Sequence, residues 1–454
     1  MTFTTVNPAT GEVLQLYAGW DSDRLESALA GLSLAQANWS GVSLGDRAAC
    51  LRRLADGLRA QRDGHACLMT LEMGKLIAES RGEIDRCARV CDYFADHGAQ
   101  FLADEAIDTE AAASYVTHEP LGTILAIMPW NFPFWQVFRA AVPILLAGNT
   151  VLVKHAPSVM GCALAIERLF HGAGFPAGAY QNLPIGVDAV PALLADPRIQ
   201  GVTLTGSVRA GRAVAQLAGA NLKKAVFELG GSDPFIVLED ADLAATVEKA
   251  VAARFLNAGQ SCISAKRFIV VDTIADAFVE LLLGRIETLR HGDPQDAATR
   301  LAPLARADLR DTLHGQVQAS LDAGAKVLAG CAPIAGPGYF YQASLLDQVR
   351  PGMPAFDEEL FGPVAVVVRA RDEGEAVQLA NQSRFGLGGS VWTPNRARGE
   401  RIVRELQCGV AFVNAMVQSD PRLPFGGCKE SGLGRELSRH GILEFTNTKT
   451  VWIS

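Results

Sequence analysis

Cys262 stands in the segment NAGQSCISAKR, among small and polar neighbours. A structural cysteine usually sits among large apolar side chains, whereas small flanks let a substrate approach the sulfur. The nucleophile would be the thiolate. An unperturbed thiol, with a pKa of about 8.5, supplies only a few per cent of it at neutral pH. Glu228 ends the run KAVFE and precedes paired glycines in FELGGSDP. A carboxylate there is either a solvated strand end or, if buried, a general base with a raised pKa. Asn131, in MPWNFPFW, directly follows the run TILAIM. Its amide, held at a strand end, could donate to a developing oxyanion, and one such donor contributes roughly 3–4 kcal/mol to a transition state. The alternative is an ordinary turn asparagine. Lys154 in VLVKHAPS stands at another strand end, and Gly206 and Ser207 in TLTGSVRAGR stand at a strand-to-helix turn. Backbone N–H groups at such turns can meet a pyrophosphate. Each of these features is weak alone.

The elements that must position them follow from periodicity. The first hundred residues read as mainly helical, as in DSDRLESALAGLSLAQANW and LEMGKLIAESRGEIDRCARVCDYFADHGAQFL. From about residue 121 short apolar runs alternate with helical stretches: TILAIM, a helix near 134–147, TVLVK, a helix near 158–172, then QNLPIG, GVTLTG and KAVFELGG. Fully apolar strands alternating with helices predict a parallel sheet covered on both faces, an architecture that suits a dinucleotide. A second series follows GGSDPFIVL, with RFIVVD, a helix near 274–289, VAVVVRA and CGVAFVN. It predicts a second α/β domain built around Cys262. The tail LEFTNTKTVWIS, rich in threonine and β-branched residues, reads as a strand pairing outside its own domain.

Bulk properties narrow the classes. With 454 residues the chain exceeds one ordinary core. Its net charge of -8, with no basic tract, argues against nucleic acid. Apolar runs such as AAVPILLAG are too short to cross a bilayer. Nine scattered cysteines and an N-terminus, MTFTTVNPATGEVL, without a leader pattern lead us to expect a reducing cytoplasm. Cys87 and Cys91 lie four apart with no histidine or cysteine partners nearby, the histidines are dispersed, and no metal is expected. GAGFPA at 172–177 matches a dinucleotide glycine pattern by letter, but it closes a helix and contains a proline, so it reads as a chance match.

Taken together, the ordered segments NPATGE, PWNFP, VLVKHA, LTGSVRAG, FELGGSDP, NAGQSC, EELFGP and PFGGCKESGLGRE resemble the aldehyde dehydrogenase superfamily over essentially the whole chain. The resemblance implies roles. Cys262 would be the nucleophile, Glu228 the base that activates water, and Asn131 the oxyanion donor. Lys154 would contact the adenosine ribose. Trp130, Gly206 and Ser207 would lie near the dinucleotide, and Glu359 and Phe361 would hold the nicotinamide ribose and ring. The implied reaction is oxidation of an aldehyde to an acid with NADP or NAD, through a thiohemiacetal and a thioester on Cys262.

More narrowly, the chain resembles the bacterial succinate-semialdehyde dehydrogenases, with three departures. Pro157 replaces a glutamate three residues after the lysine; with Lys154 and Ser158 left as donors to a phosphate, use of NADP is expected. Ser264 stands where some relatives carry a second cysteine, and Leu256 where some carry an arginine six residues before the nucleophile. Arg139, eight residues or about 2.2 helical turns after Asn131, occupies the position of a carboxylate-binding arginine, or else ties its helix to a neighbouring subunit. Ser419 resembles a hydroxyl partner in the same tunnel. The family's plan implies a cofactor domain from 1–102 and 121–229, a catalytic domain at 230–436, and an oligomerisation element joining 103–120 with 437–454, in a homodimer or dimer of dimers. Competing expectations are a dehydrogenase for other short-chain or aromatic aldehydes, a coenzyme A-acylating relative, and a non-catalytic binding protein. The presence of Glu228 argues against the second, and the presence of Cys262, Glu228 and Asn131 together against the third.

Overall fold

The computed structural model describes residues 1–454. Two large sheets carry the fold. The first has six strands, in the order Gly432–Leu433, Lys224–Glu228, Ile199–Thr205, Thr123–Met128, Thr150–His155 and Tyr180–Asn182. All pair in parallel except Gly432–Leu433, which runs antiparallel to Lys224–Glu228. The central strands are buried on both faces, as their unbroken apolar composition requires. The helix Trp135–Leu146 covers the sheet and is buried along its whole length.

The second sheet has seven strands, in the order Lys326–Ala329, Ser344–Asp347, Val364–Ala370, Ala265–Val271, Asp233–Val237, Gly388–Trp392 and Val410–Val413. Only the pair Lys326–Ala329 and Ser344–Asp347 is antiparallel. A small third sheet pairs Thr446–Ile453 with Ala113–Pro120, and Ala113–Pro120 with Glu105–Ala106, all antiparallel. The threonine-rich tail therefore finds its partner strand within its own chain.

Sequence periodicity missed the first element. Thr2–Val6 and Val13–Ala18 form a hairpin ahead of the helices. The second strand hides its period because Val13, Leu14 and Leu16 are all exposed. The turn between the strands uses Gly11 at φ +76°, a left-handed conformation that glycine adopts without penalty. GAGFPA lies across the end of the helix Met160–Gly172, not at a helix start. No helix is long and apolar enough to cross a membrane, and no group of three or more potential metal ligands exists.

Candidate active site

The residues singled out by the sequence gather where the first sheet's strands end. Trp130 and Asn131 follow Thr123–Met128, Gly206 and Ser207 follow Ile199–Thr205, Glu228 closes its strand and Lys154 is the last residue but one of Thr150–His155, all at the carboxyl edge where open α/β sheets bind ligands. The second sheet faces them with the loop before Ala265–Val271, which holds Cys262, and the loop before Val364–Ala370, which holds Glu359 and Phe361.

The Cys262 loop is strained and heavily tethered. Asn257, Ala258 and Gly259 have φ of 55°, 52° and 73°. Left-handed residues with a Cβ each cost of order 1 kcal/mol or more, so the loop needs compensating contacts. Asn257 Nδ2 donates to the Asn131 and Gln260 carbonyls at 2.9 and 3.1 Å, and Asn257 N–H donates to Glu79. Gln260 accepts from Ala305 N–H at 2.9 Å and donates to the Pro303 carbonyl. The buried Arg254 donates to Val364, Leu360 and Gly362 carbonyls and to Ser264 Oγ. Ser264, in turn, donates to Ala253 at 2.9 Å. This position is a buried hydrogen-bonding hub that locks the loop to the preceding helix.

Cys262 is partly exposed into a cavity of about 70 Å3 whose wall includes Phe132, Trp135, Arg139, Leu256, Ser419 and Phe425. Burial pushes its thiol up to about 12; the cations of Arg139 and Lys266 oppose this, and Glu359 and Glu228 add to it. Lys266, which sequence reasoning passed over, donates to the Ser261 and Cys262 carbonyls and lies 3.2 Å from Glu359. Its signal was present in SCISAKR, a lysine four residues after the nucleophile.

Asn131 is buried, and its Nδ2 donates to the Gln260 carbonyl at 3.1 Å. That bond ties the amide to the residue two before Cys262. Glu228 is also buried, and neither carboxylate oxygen has a hydrogen-bond partner. An isolated charged carboxylate in such a place costs several kcal/mol. Burial accordingly holds its pKa well above the usual range, against the pull of the Arg139 cation. Glu228 is close enough to raise the Cys262 thiol, but it lies outside the cavity wall, beside Gly426. The paired glycines after it serve close approach: a Cβ on Gly230 would meet Glu359 Oε2 at 2.3 Å, and one on Gly231 would meet the Cys262 carbonyl at 2.7 Å.

The dinucleotide candidates fall into two groups. Glu359 accepts from Gly231 N–H at 3.1 Å, and Phe361 meets Trp130 edge-on at 5.8 Å. At the other group Ser207 caps the helix Val208–Ala220, leaving N–H groups at its start. Lys154 is buried with no carboxylate partner and makes one long contact, 3.5 Å, to the His155 carbonyl. Ser158 Oγ is buried without any partner. An unspent ammonium and an unspent hydroxyl, next to the uncharged Pro157, fit an anionic phosphate.

Arg139 lines the Cys262 cavity and is also tied to its neighbours. Its guanidinium is ion-paired with the buried Glu436, donates to Thr205 Oγ1 at 3.3 Å, and packs 4.9 Å from the Phe425 ring centroid. Glu436 belongs to the GLGRE segment, whose glutamate drew no role from the sequence. Ser419 does line the Cys262 cavity.

The profile of the aldehyde dehydrogenase family matches residues 1–451. The chain is 48% identical over 457 residues to the probable NADP(+) succinate-semialdehyde dehydrogenase of Synechocystis sp., covering 100% of both chains. It is 48% identical over 448 residues to the NAD(P)+ succinate semialdehyde dehydrogenase of Escherichia coli, covering 99% of this chain and 97% of that one. The crystal structure of succinic semialdehyde dehydrogenase from Streptococcus pyogenes, in complex with NADP+, superposes with a TM-score of 0.97 at 39% identity, covering 99% of each chain. This chain belongs to the aldehyde dehydrogenase family.

Proposed function

We propose that this protein oxidises succinate semialdehyde to succinate with NADP or NAD. The observation that carries the reading is a compact cavity that joins the Cys262 thiol to arginine and hydroxyl side chains on its wall. Full-length relatives named for the same substrate support it. The Cys262 thiolate attacks the aldehyde carbon, and the oxyanion is met by the Asn131 amide and the Cys262 N–H. The bound dinucleotide supplies the hydride acceptor; Lys154, Ser158, Gly206, Ser207, Trp130, Glu359 and Phe361 would hold it. A thioester remains on Cys262. Glu228, swung from its dry niche towards the cavity, takes a proton from water, which releases the acid. Ser419 donates to the distal carboxylate.

We assign cofactor binding to the six-stranded sheet and 1–102 with 121–229, and catalysis to 230–436. The short strand Gly432–Leu433 crosses that division, since it pairs with Lys224–Glu228. A homo-oligomer assembled through 103–120 and 437–454 is supported by Trp452 and Ile453, both 49% exposed on the small sheet. Steady-state kinetics with succinate semialdehyde and butanal, each with both cofactors, test the function. A higher kcat/KM for butanal would overturn it.

A further inference from the structure

A buried charge cluster beneath the site takes no part in the chemistry above. Lys75 stands just before the helix Ile77–Phe101, and Glu79 and Glu83 lie in its first two turns. Four residues apart, the two carboxylates share one face of the helix. Lys75 and Glu83 are ion-paired and both buried. Charges withdrawn from water cost several kcal/mol each unless they are well partnered, so the partners here carry information. None of the three residues lines the Cys262 cavity.

Each carboxylate holds one half of the oxyanion site. Glu83 Oε1 accepts from the N–H groups of Phe134 and Trp135, both at 2.9 Å, and so caps the helix that opens just after Asn131. Glu79 Oε1 accepts from Asn257 N–H at 2.9 Å, where the left-handed stretch before Cys262 begins. Lys75 serves both. It pairs with Glu83, and it attracts Glu79 against the burial that raises the Glu79 carboxyl. Its Nζ also lies 3.9 Å from the ring centroid of Phe132, the residue after Asn131. Asn257 closes the circuit by donating to the Asn131 and Gln260 carbonyls. The Asn131 amide gives one N–H to the same Gln260 carbonyl. An amide NH2 has two donors, which leaves one for an oxyanion.

We propose that Glu79 and Glu83, tied together by Lys75, are positioning residues that set the spacing between the Asn131 amide and the Cys262 N–H, and through it the rate of acylation. The proposal rests on the oxyanion reading above and goes beyond it in naming what holds the two donors in register. One rigid helix then references both loops, although they come from different sheets.

The test separates position from charge. Glu79→Asp keeps the charge and withdraws the carboxylate by one methylene. Glu79→Gln removes the charge and keeps an acceptor in place. Single-turnover formation of reduced cofactor, with enzyme in excess over aldehyde, reads acylation. Glu79→Asp should slow it about tenfold or more, since a small misplacement at a reacting centre costs up to about a hundredfold. Glu79→Gln should recover most of the rate, and Glu83→Asp should resemble Glu79→Asp. NADP affinity should hold in all three. The losses should match for succinate semialdehyde and butanal, because every aldehyde forms the same oxyanion. In an Asn131→Ala background Glu79→Asp should cost at most about threefold, whereas independent losses would add in full. If Asn131→Ala acylates at the wild-type rate, the oxyanion reading fails and this proposal with it. If Asn131→Ala is slow and Glu79→Asp adds its whole loss on top, the proposal alone is overturned. It is also overturned if Glu79→Asp keeps the wild-type rate, or if Glu79→Gln is the more damaged of the two.

Discussion

The Lys266 ammonium donates to the Cys262 carbonyl at 2.7 Å, so the backbone of the nucleophile is clamped by the charge that also favours its thiolate. Removing that charge does harm twice, because Glu359 then stands without its partner and its anion opposes ionisation of the thiol. For Lys266→Met the sign follows directly. The thiol pKa rises, and the ascending limb of the kcat/KM profile moves to higher pH. A shift of one unit corresponds to roughly tenfold lower activity at neutral pH. An unmoved limb would mean that Lys266 only shapes the loop.

Glu228→Gln should separate the two halves of the reaction. Reduced cofactor should appear in a burst near one equivalent per site, followed by slow turnover, because water is no longer activated. If the burst itself disappears, Glu228 acts on Cys262 instead. The same variant has a stability signature. The Glu228 carboxyl is raised in the folded state, so below its unfolded pKa both states are protonated and the group is neutral to stability. Above it the unfolded chain ionises first, and stability falls as pH rises towards the folded value. Glu228→Gln should therefore match the wild type near about pH 4 and melt higher at about pH 8.

Much of the fold was legible because its strands are unbroken apolar runs. TILAIM and TVLVK became adjacent parallel strands, and NFPFWQVFR opened a buried helix. The hairpin at Thr2–Val6 was not legible, since the outer strand exposes its apolar side chains and loses the period-2 signal. At the site, motifs singled out Cys262, Glu228 and Asn131, and Asn131 does meet the Cys262 loop through the Gln260 carbonyl. Partnerships across the sequence were invisible. Glu436 meets Arg139 from nearly 300 positions away, and no local pattern announces that pairing.

Cofactor choice should turn on two adjacent residues. Ser158→Ala should weaken NADP binding more than NAD binding, because it removes a buried hydroxyl that has no other partner. Pro157→Glu should shift the kcat/KM ratio towards NAD by setting a carboxylate near Lys154. Isothermal titration with both dinucleotides checks the first variant and steady-state kinetics the second. Equal losses for the two cofactors in Ser158→Ala would place the extra phosphate elsewhere.

Gly259→Ala should unfold at lower temperature and lose activity together. Its φ is +73°, and an added Cβ would meet the Gly362 carbonyl at 2.2 Å. Backbone strain alone contributes about 1 kcal/mol or more, and the clash pushes the two loops that carry Cys262 and Glu359 apart. A differential scan matching the wild type would show that the loop is softer than its tethers suggest.

The central claim is a thioester on Cys262, and intact-protein mass spectrometry of the slowed Glu228→Gln variant tests it most directly. The variant is mixed with NADP and succinate semialdehyde and quenched in acid during the slow phase. The account predicts one added succinyl group per chain, mapped by digestion to the peptide containing Cys262 and absent when Cys262 is also changed to alanine. Formation of reduced cofactor with no adduct on that peptide, or with the adduct on another cysteine, would contradict it.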